Sequence, residues 1–523
     1  MKRSLILIVL ATLACRPRTD PEPRPAPITI IPAPASLTPL PGVPFTLTDS
    51  SVIFVEADSD SAWMVAEALA AQLRPATGFA LPVRSAPDAP TLRQGIRVRL
   101  GGRVSEGAMR LGEEGYQLTV TSDSVHLAAL TPGGLFHGVQ TLRQLFPFGI
   151  EAENSVIKMG NWLIPAVHIY DVPRFTWRGA MLDVSRHFFT VGEVKQYIDI
   201  LALYKLNVLH LHLSDDQGWR IEIKSRPELT ALGSVTEVGG RSGGYYTQAD
   251  FAELARYAAE RFITLVPEID MPGHTNAMLL GHPELSCGRQ APALYTSIRV
   301  GFSALCPEKE ETWALVDDIV REIAAITPGP YFHIGGDEVE TLTREQYAAF
   351  VERAQEIVTR HGKRMIGWEE IYKARLQPTT LVQQWRSDSA RNAIPYGAKI
   401  ILSPAKRVYL DMKYSTATEL GLRWAGVVTV RTTYDWDPAA YIPGVTEEHI
   451  AGVEAPLWAE TIRNITAAQF LAMPRLPSVA EVGWTPQGDR RWEDFRRRLA
   501  AQAPRWRLLG INYYASPEIR WDR

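Results

Sequence analysis

An α/β architecture, a (β/α)8 TIM barrel preceded by a small α+β domain, is predicted by three observations on the 523-residue sequence. From Pro173 onward, short β-rich runs alternate with helical stretches, the pattern of a parallel α/β fold. Eight such runs can be counted, the strand number of a closed (β/α)8 barrel. Ahead of Pro173 the chain mixes strands and helices without that regular alternation.

In chain order, residues 1–15 read as a signal peptide. Lys2 and Arg3 precede a largely apolar run from Leu5 to Ala14. That run is too short to span a bilayer, which needs ~20 apolar residues. Residues 16–27 are rich in Pro and Arg and form a semi-rigid linker with no core to bury. Residues 28–172 form the small domain. Helices are predicted over Ser61–Leu73 and Gly133–Phe146, and strands over Ile96–Leu100, Tyr116–Thr121 and Ser124–Ala129. Residues 173–523 hold the barrel. Its strands are predicted at Arg178–Asp183, Asn207–Leu213, Ile263–Ile269, Tyr331–Gly335, Arg364–Trp368, Thr380–Gln384, Lys399–Ser403 and Val453–Trp458. Helical patterns such as Val191–Leu203, Ala249–Arg261 and Glu310–Ala325 lie between them.

Composition narrows the function classes. With 46% hydrophobic and 22% charged residues the chain is an ordinary soluble globular protein with ample core. A net charge of −3 gives no reason to expect nucleic acid or an anionic membrane surface as partner. A neutral or mixed small-molecule substrate fits better.

In a (β/α)8 barrel the active site lies at the C-terminal ends of the strands. The first strand is followed by Ser185-Arg186-His187 and the second by Ser214-Asp215-Asp216. The third runs into Glu268-Ile269-Asp270-Met271-Pro272-Gly273-His274, and the fourth into His333-Ile334-Gly335-Gly336-Asp337-Glu338. Trp368 and Trp385 close the fifth and sixth. Tyr409-Leu410-Asp411 follows the seventh, Trp458-Ala459-Glu460 ends the eighth, and Trp424 is a fourth indole after a barrel strand. One Trp alone would be read as core packing. Together, indoles that stack on the C–H faces of a sugar and polar groups that fork onto its hydroxyls describe a sugar pocket. Carboxylates there supply acid/base catalysis of glycosidic cleavage.

The run His333–Glu338 resembles the signature of family 20 glycoside hydrolases, the β-N-acetylhexosaminidases. The resemblance extends through Arg178–Phe188, Leu211–Arg220, Pro267–His274 and Val453–Glu460, and covers nearly everything from residue 28 onward. It implies exo-acting, retaining release of terminal β-linked GlcNAc or GalNAc from chitooligosaccharides or glycoconjugates. The nucleophile is then the substrate's own acetamido group, through an oxazolinium intermediate, a route that departs from the usual pair of carboxylates. On the matching positions, Asp337 accepts the acetamido N–H and Tyr409 donates to the acetamido oxygen. Glu338 is the acid/base, with His274 tuning it and Asp215 orienting His274. Arg186, Asp411 and Glu460 hold the ring hydroxyls, and Trp368, Trp385, Trp424 and Trp458 wall the acetamido pocket and floor the ring.

Other readings have weaker footing. His210-Leu211-His212 resembles the metal-binding pair of amidohydrolases. The fifth and sixth strands, however, end in Trp368 and Trp385 and offer no further ligands, so neither metal nor cofactor is expected. A chitinase-like barrel would carry an Asp-x-x-Asp-x-Asp-x-Glu run, which is absent. A surface lipoprotein that only binds glycans is the non-enzymatic alternative, and the set Asp337, Glu338 and Tyr409 argues against it.

Cysteine usage fits export. Thr12-Leu13-Ala14-Cys15 resembles a bacterial lipoprotein cleavage box, departing from it at Thr12 where Leu is usual, so Cys15 is the expected lipidation site. An ordinary signal peptide with an incidental cysteine is the alternative. The protein is expected in the periplasm or at the cell surface, with a possible membrane tether. Cys287 and Cys306 flank a loop-like stretch and are expected to pair, two buried free thiols being the alternative.

Overall fold

The computed structural model describes residues 27–56, 59–85, 95–101, 105–106, 109–155, 161–287 and 293–521. Cys15, the signal segment and nearly all of the linker lie outside them. Among the described residues no helix is long and apolar enough to cross a membrane.

The first domain is built on a seven-stranded sheet. In spatial order its strands are Ser36–Pro39, Val167–Asp171, Tyr116–Val120, Ser124–Ala129, Gly95–Leu100, Val52–Glu56 and Val83–Ser85. The first four pair antiparallel and the remainder parallel. Helices Asp60–Thr77 and Pro132–Leu145 pack side by side on this sheet. Four of the seven strands escape the sequence reading. Val83–Ser85 and Ser36–Pro39 are short and partly exposed, so alternation is too brief to register. The first helix runs past the predicted Leu73 to Thr77 and closes on Gly78, whose φ of +69° suits the left-handed cap.

The last strand of this sheet ends at Asp171, and the first barrel strand begins at Trp177. Eight parallel strands close the barrel in sequence order: Trp177–Asp183, Val208–His212, Thr264–Glu268, Tyr331–His333, Arg364–Trp368, Leu381–Gln384, Lys399–Leu402 and Ile450–Leu457. The outer helices start where the sequence supplies caps. The hydroxyls of Thr190, Thr247 and Thr343 each accept from the backbone N–H three residues on, and Glu193, Asp250 and Gln346 reach back in return. The fourth strand stops at His333, two residues short of expectation. Gly335 and Gly336 take φ of +66° and +97° there and turn the chain out of the sheet.

The domains meet through buried charge. Lys205, on the barrel, is fully buried and donates to Asp171 Oδ2 and Tyr116 Oη of the first sheet, both at 2.9 Å. Its ammonium also stands 4.5 Å from the Trp484 ring. Arg178 forks onto Glu114 at 2.7 and 2.8 Å. These contacts fix the leading domain against the strand starts, away from the rim that carries the chemistry. Cys287 and Cys306 form a disulfide across the long loop after the third strand.

Candidate active site

A polar chain inside the barrel leads up to the rim. Glu454 accepts from Trp177 Nε1 at 2.9 Å and Gln383 Nε2 at 2.8 Å, and meets His210 Nδ1 at 2.9 Å. His210 Nε2 lies 3.0 Å from Glu268, which also receives the Trp368 indole N–H at 2.8 Å and contacts His212 Nδ1 at 2.5 Å. His212 Nε2 then reaches Asp215 Oδ2 at 2.9 Å. The two histidines of the His-Leu-His run therefore alternate with carboxylates. Burial pulls the His210 imidazole down, but Glu268 and Glu454 outweigh it and lift its pKa to about 9.

At the rim this chain divides. Arg186 Nη2 donates to Asp215 Oδ2 at 2.6 Å, while Asp215 Oδ1 faces His274 Nδ1 at 3.2 Å. Burial disfavours the Asp215 charge, yet Arg186 and the neighbouring histidines hold its carboxyl far below the usual range. His274 adopts φ +54° and its Nε2 stands 3.7 Å from Asp337 Oδ2 and 3.8 Å from Glu338 Oε2. Burial lowers the His274 pKa, but Asp215, Asp270 and Asp337 together carry it well above the ordinary histidine value. Glu338 takes φ +52° on the turn that Gly335 and Gly336 begin. Burial and the Asp337 charge raise its pKa, against His274 and Arg386, as a proton donor requires.

Asp270 is a residue that the strand-end reading passed over without a role. It accepts from Gly336 N–H at 3.0 Å, and a Cβ on Gly335 would fall 1.9 Å from its Oδ1. The Gly-Gly pair is thus required for Asp270 to pin the turn that presents Asp337 and Glu338. The signal was available, since Asp270 follows the third strand in the quoted motif.

The cleft measures 630 Å³ and is lined by Arg186, His274, Asp337, Glu338, Trp385, Tyr409, Trp424, Trp458 and Glu460 among others. Tyr409 stacks near-parallel to Trp385 (ring centroids 6.4 Å apart, 11° between planes), with Trp424 edge-on to both. Arg186 lies over Trp458 at 4.9 Å. Trp368 stands one layer deeper, buried, 5.7 Å from Trp458. Asp215 and Asp411 also lie behind the lining residues. Trp424 is half-exposed at the mouth. Sequence reasoning missed Arg386, which lies over Trp385 at 4.4 Å and places Nη1 3.7 Å from Glu338 Oε1. It also missed Ile298 and Val300, which the disulfide-bounded loop brings to the cleft. A larger cleft of 910 Å³ lies at the opposite end of the barrel, against the first domain. It holds none of the rim residues, so size alone does not locate the chemistry.

Buried polar atoms normally find partners. Here Arg186 Nε, His274 Nε2, Asp337 Oδ1, both Asp411 oxygens and Glu460 Oε2 have none within the protein. Burial, with Glu460 nearby, pushes the Asp411 pKa well up, and burial likewise raises Glu460 against the pull of Arg186. Unmatched donors and acceptors gathered under aromatic walls suit a polyhydroxylated ring that brings its own hydrogen bonds.

Fold and site together define a carbohydrate-active hydrolase of the barrel class. Comparison with known proteins places it further. Residues 175–487 match the catalytic domain of glycosyl hydrolase family 20, and residues 27–172 match domain 2 of that family. A β-N-acetylhexosaminidase of Cellulomonas fimi is 42% identical over 502 residues, 94% of this chain and 97% of that protein. The solved family 20 β-N-acetylhexosaminidase of Streptomyces coelicolor A3(2) superposes with a TM-score of 0.90 at 50% identity, covering 96% of this chain and 100% of its own. A mutant Streptomyces plicatus β-hexosaminidase in complex with product GlcNAc gives a TM-score of 0.90 at 49% identity, covering 95% of this chain and 99% of its own. The chain belongs to glycosyl hydrolase family 20.

Proposed function

We infer that this chain is an exo-acting β-N-acetylhexosaminidase that removes terminal β-linked N-acetylhexosamine by substrate-assisted catalysis. The observation that carries the reading is the set of unmatched buried polar atoms on Arg186, Asp337 and Glu460 in a cleft walled by Trp385, Tyr409 and Trp458, with Asp411 unmatched behind them.

The reaction follows from what each group can do. Glu338, whose pKa is raised by burial and its anionic neighbour, gives its proton to the glycosidic oxygen. The acetamido carbonyl oxygen attacks C1 within the same molecule. Such well-oriented intramolecular steps reach effective molarities of ~10⁵–10⁸ M, so no protein nucleophile is needed. Positive charge develops on the acetamido nitrogen, where Asp337 accepts the N–H and balances it. Tyr409 donates to the acetamido oxygen and aims it at C1. Burial, with the charges of Asp337 and Asp411, drives the Tyr409 pKa well above 10, which keeps this hydroxyl a donor. Glu338, now a carboxylate, takes a proton from the water that opens the oxazolinium ring, and the anomeric configuration is retained. The cation His274, held by Asp215, keeps Glu338 from rising too far. Arg186, Asp411 and Glu460 hold the 3-, 4- and 6-hydroxyls, and a sugar with all three held is a chain terminus.

Export is part of the same reading, supported by Lys2, Arg3 and the apolar run before Cys15, with Cys15 as a lipid tether. A Cys15→Ser protein still found in the membrane fraction would count against the tether. The catalytic reading is tested on purified chain from residue 26, with 4-nitrophenyl N-acetyl-β-D-glucosaminide beside the plain β-glucoside. Hydrolysis of the acetamido sugar alone is expected. Comparable turnover of the glucoside would rule out assistance by the acetamido group.

A further inference from the structure

The mouth of the cleft carries positive charge that a neutral terminal sugar does not use. Arg386 and Arg423 both line it, one on the sixth-strand loop beside Trp385 and one immediately before Trp424. Arg386 is half-exposed. Its Nη2 donates to Glu370 Oε1 at 3.0 Å, and its Nη1 stands 3.7 Å from Glu338 Oε1 without forming a hydrogen bond. Arg423 is exposed and pairs with no carboxylate among the described residues. Of the acids that line the cleft with them, Asp337 is buried and Glu338 faces Arg386 without a hydrogen bond. Burial and the Asp337 charge lift Glu370, which accepts from Arg386, to about 7, so it matches the Arg386 charge only in part near neutral pH.

Glu338 must meet the glycosidic oxygen, so whatever touches its outer side stands where the leaving group departs. That places Arg386 on the leaving-group side, with Arg423 and the half-exposed Trp424 at the same opening. We propose that this opening selects a carboxylate-bearing leaving sugar, received by Arg386 and Arg423 with its ring against Trp424. The preferred substrate class is then an N-acetylhexosamine β-linked to an acidic sugar. The inference rests on the hexosaminidase reading, because only that reading gives Glu338 the glycosidic oxygen.

The test compares two disaccharides that differ in one group. β-GlcNAc-(1→4)-glucose and β-GlcNAc-(1→4)-glucuronic acid share ring and linkage, and only the second has a carboxylate in place of the leaving sugar's hydroxymethyl group. Release of GlcNAc gives kcat/KM for each. An exposed charge pair contributes up to about fivefold, so two arginines should favour the uronic acid by roughly five- to tenfold at low salt. The ratio should fall toward one in 0.5 M salt, since exposed charges are screened there. It should fall by a smaller step in Arg423→Gln, whose exposed side chain makes misfolding no concern, and to near one in the double variant with Arg386→Gln. The double variant also serves as the baseline for any intrinsic difference between the two leaving groups. A wild-type ratio no higher than that of the double variant, or a wild-type excess over it that 0.5 M salt leaves unchanged, overturns the proposal while leaving the hexosaminidase reading intact. Failure to cleave either disaccharide overturns both.

Discussion

Replacing Asp337 by Asn keeps the shape of a side chain whose Oδ1 has no partner in the free protein and removes only its charge. A carboxylate about 2.9 Å from a full positive charge, at an effective dielectric near 20, gains roughly 6 kcal/mol. In the transition state only part of that charge has formed on the acetamido nitrogen. About half of the interaction, roughly 3 kcal/mol, is therefore lost, a fall in kcat of ~10²–10³-fold. KM should move little, because the ground-state amide is neutral. A second consequence follows from the raised Glu338 pKa, to which the Asp337 charge contributes. Without that charge the Glu338 pKa falls, so the proton donor is lost at lower pH and the alkaline limb of the rate profile shifts toward acid. The assay is kcat and KM against pH on N,N′-diacetylchitobiose, whose sugar leaving group needs the proton. An Asp337→Asn enzyme that keeps more than a tenth of wild-type kcat with an unmoved alkaline limb would refute the reasoning.

Three further outcomes are expected. His274→Phe removes a cation 3.8 Å from Glu338 Oε2 that lowers the Glu338 pKa, so the alkaline limb should move to higher pH and kcat should drop by about ten- to a hundredfold; an unchanged pH–rate profile would show that His274 has no tuning role. Gly335→Ala places a methyl group 1.9 Å from Asp270 Oδ1 at a backbone of φ +66°, displacing the turn that carries Asp337 and Glu338. A shift near 1 Å costs about 10²-fold in rate, to be read as kcat with the fold checked by circular dichroism. Lys205→Met leaves Asp171 buried without its cation and should destabilise the protein by about 3–5 kcal/mol, most of it recovered in the Lys205→Met/Asp171→Asn pair. Denaturant titration in a double-mutant cycle measures that coupling.

Much of the molecule could be read before any coordinates. The eight barrel strands were all legible because they are short β-rich runs with helical stretches between most of them, and the third and fourth carry their site residues in contiguous motifs at the strand ends. The strand-end rule then turned linear motifs into one rim. The first domain was less legible, because strands such as Val83–Ser85 are too short for periodicity and are held by their neighbours in the sheet.

By itself the sequence determined the strand and helix alternation, the order of the rim residues and the chemical types gathered there, because local periodicity and motif spacing are properties of neighbours in the chain. Only the tertiary structure decided which of those groups touch. That Asp215 joins Arg186 to His274, that Asp270 locks the Gly335–Gly336 turn, and that Arg386 reaches Glu338 are contacts between residues 29 to 66 positions apart. The same distinction governs protonation. Whether Glu338 holds a proton and His274 a charge depends on burial and on carboxylates contributed by different strands, and these are set only when the barrel closes.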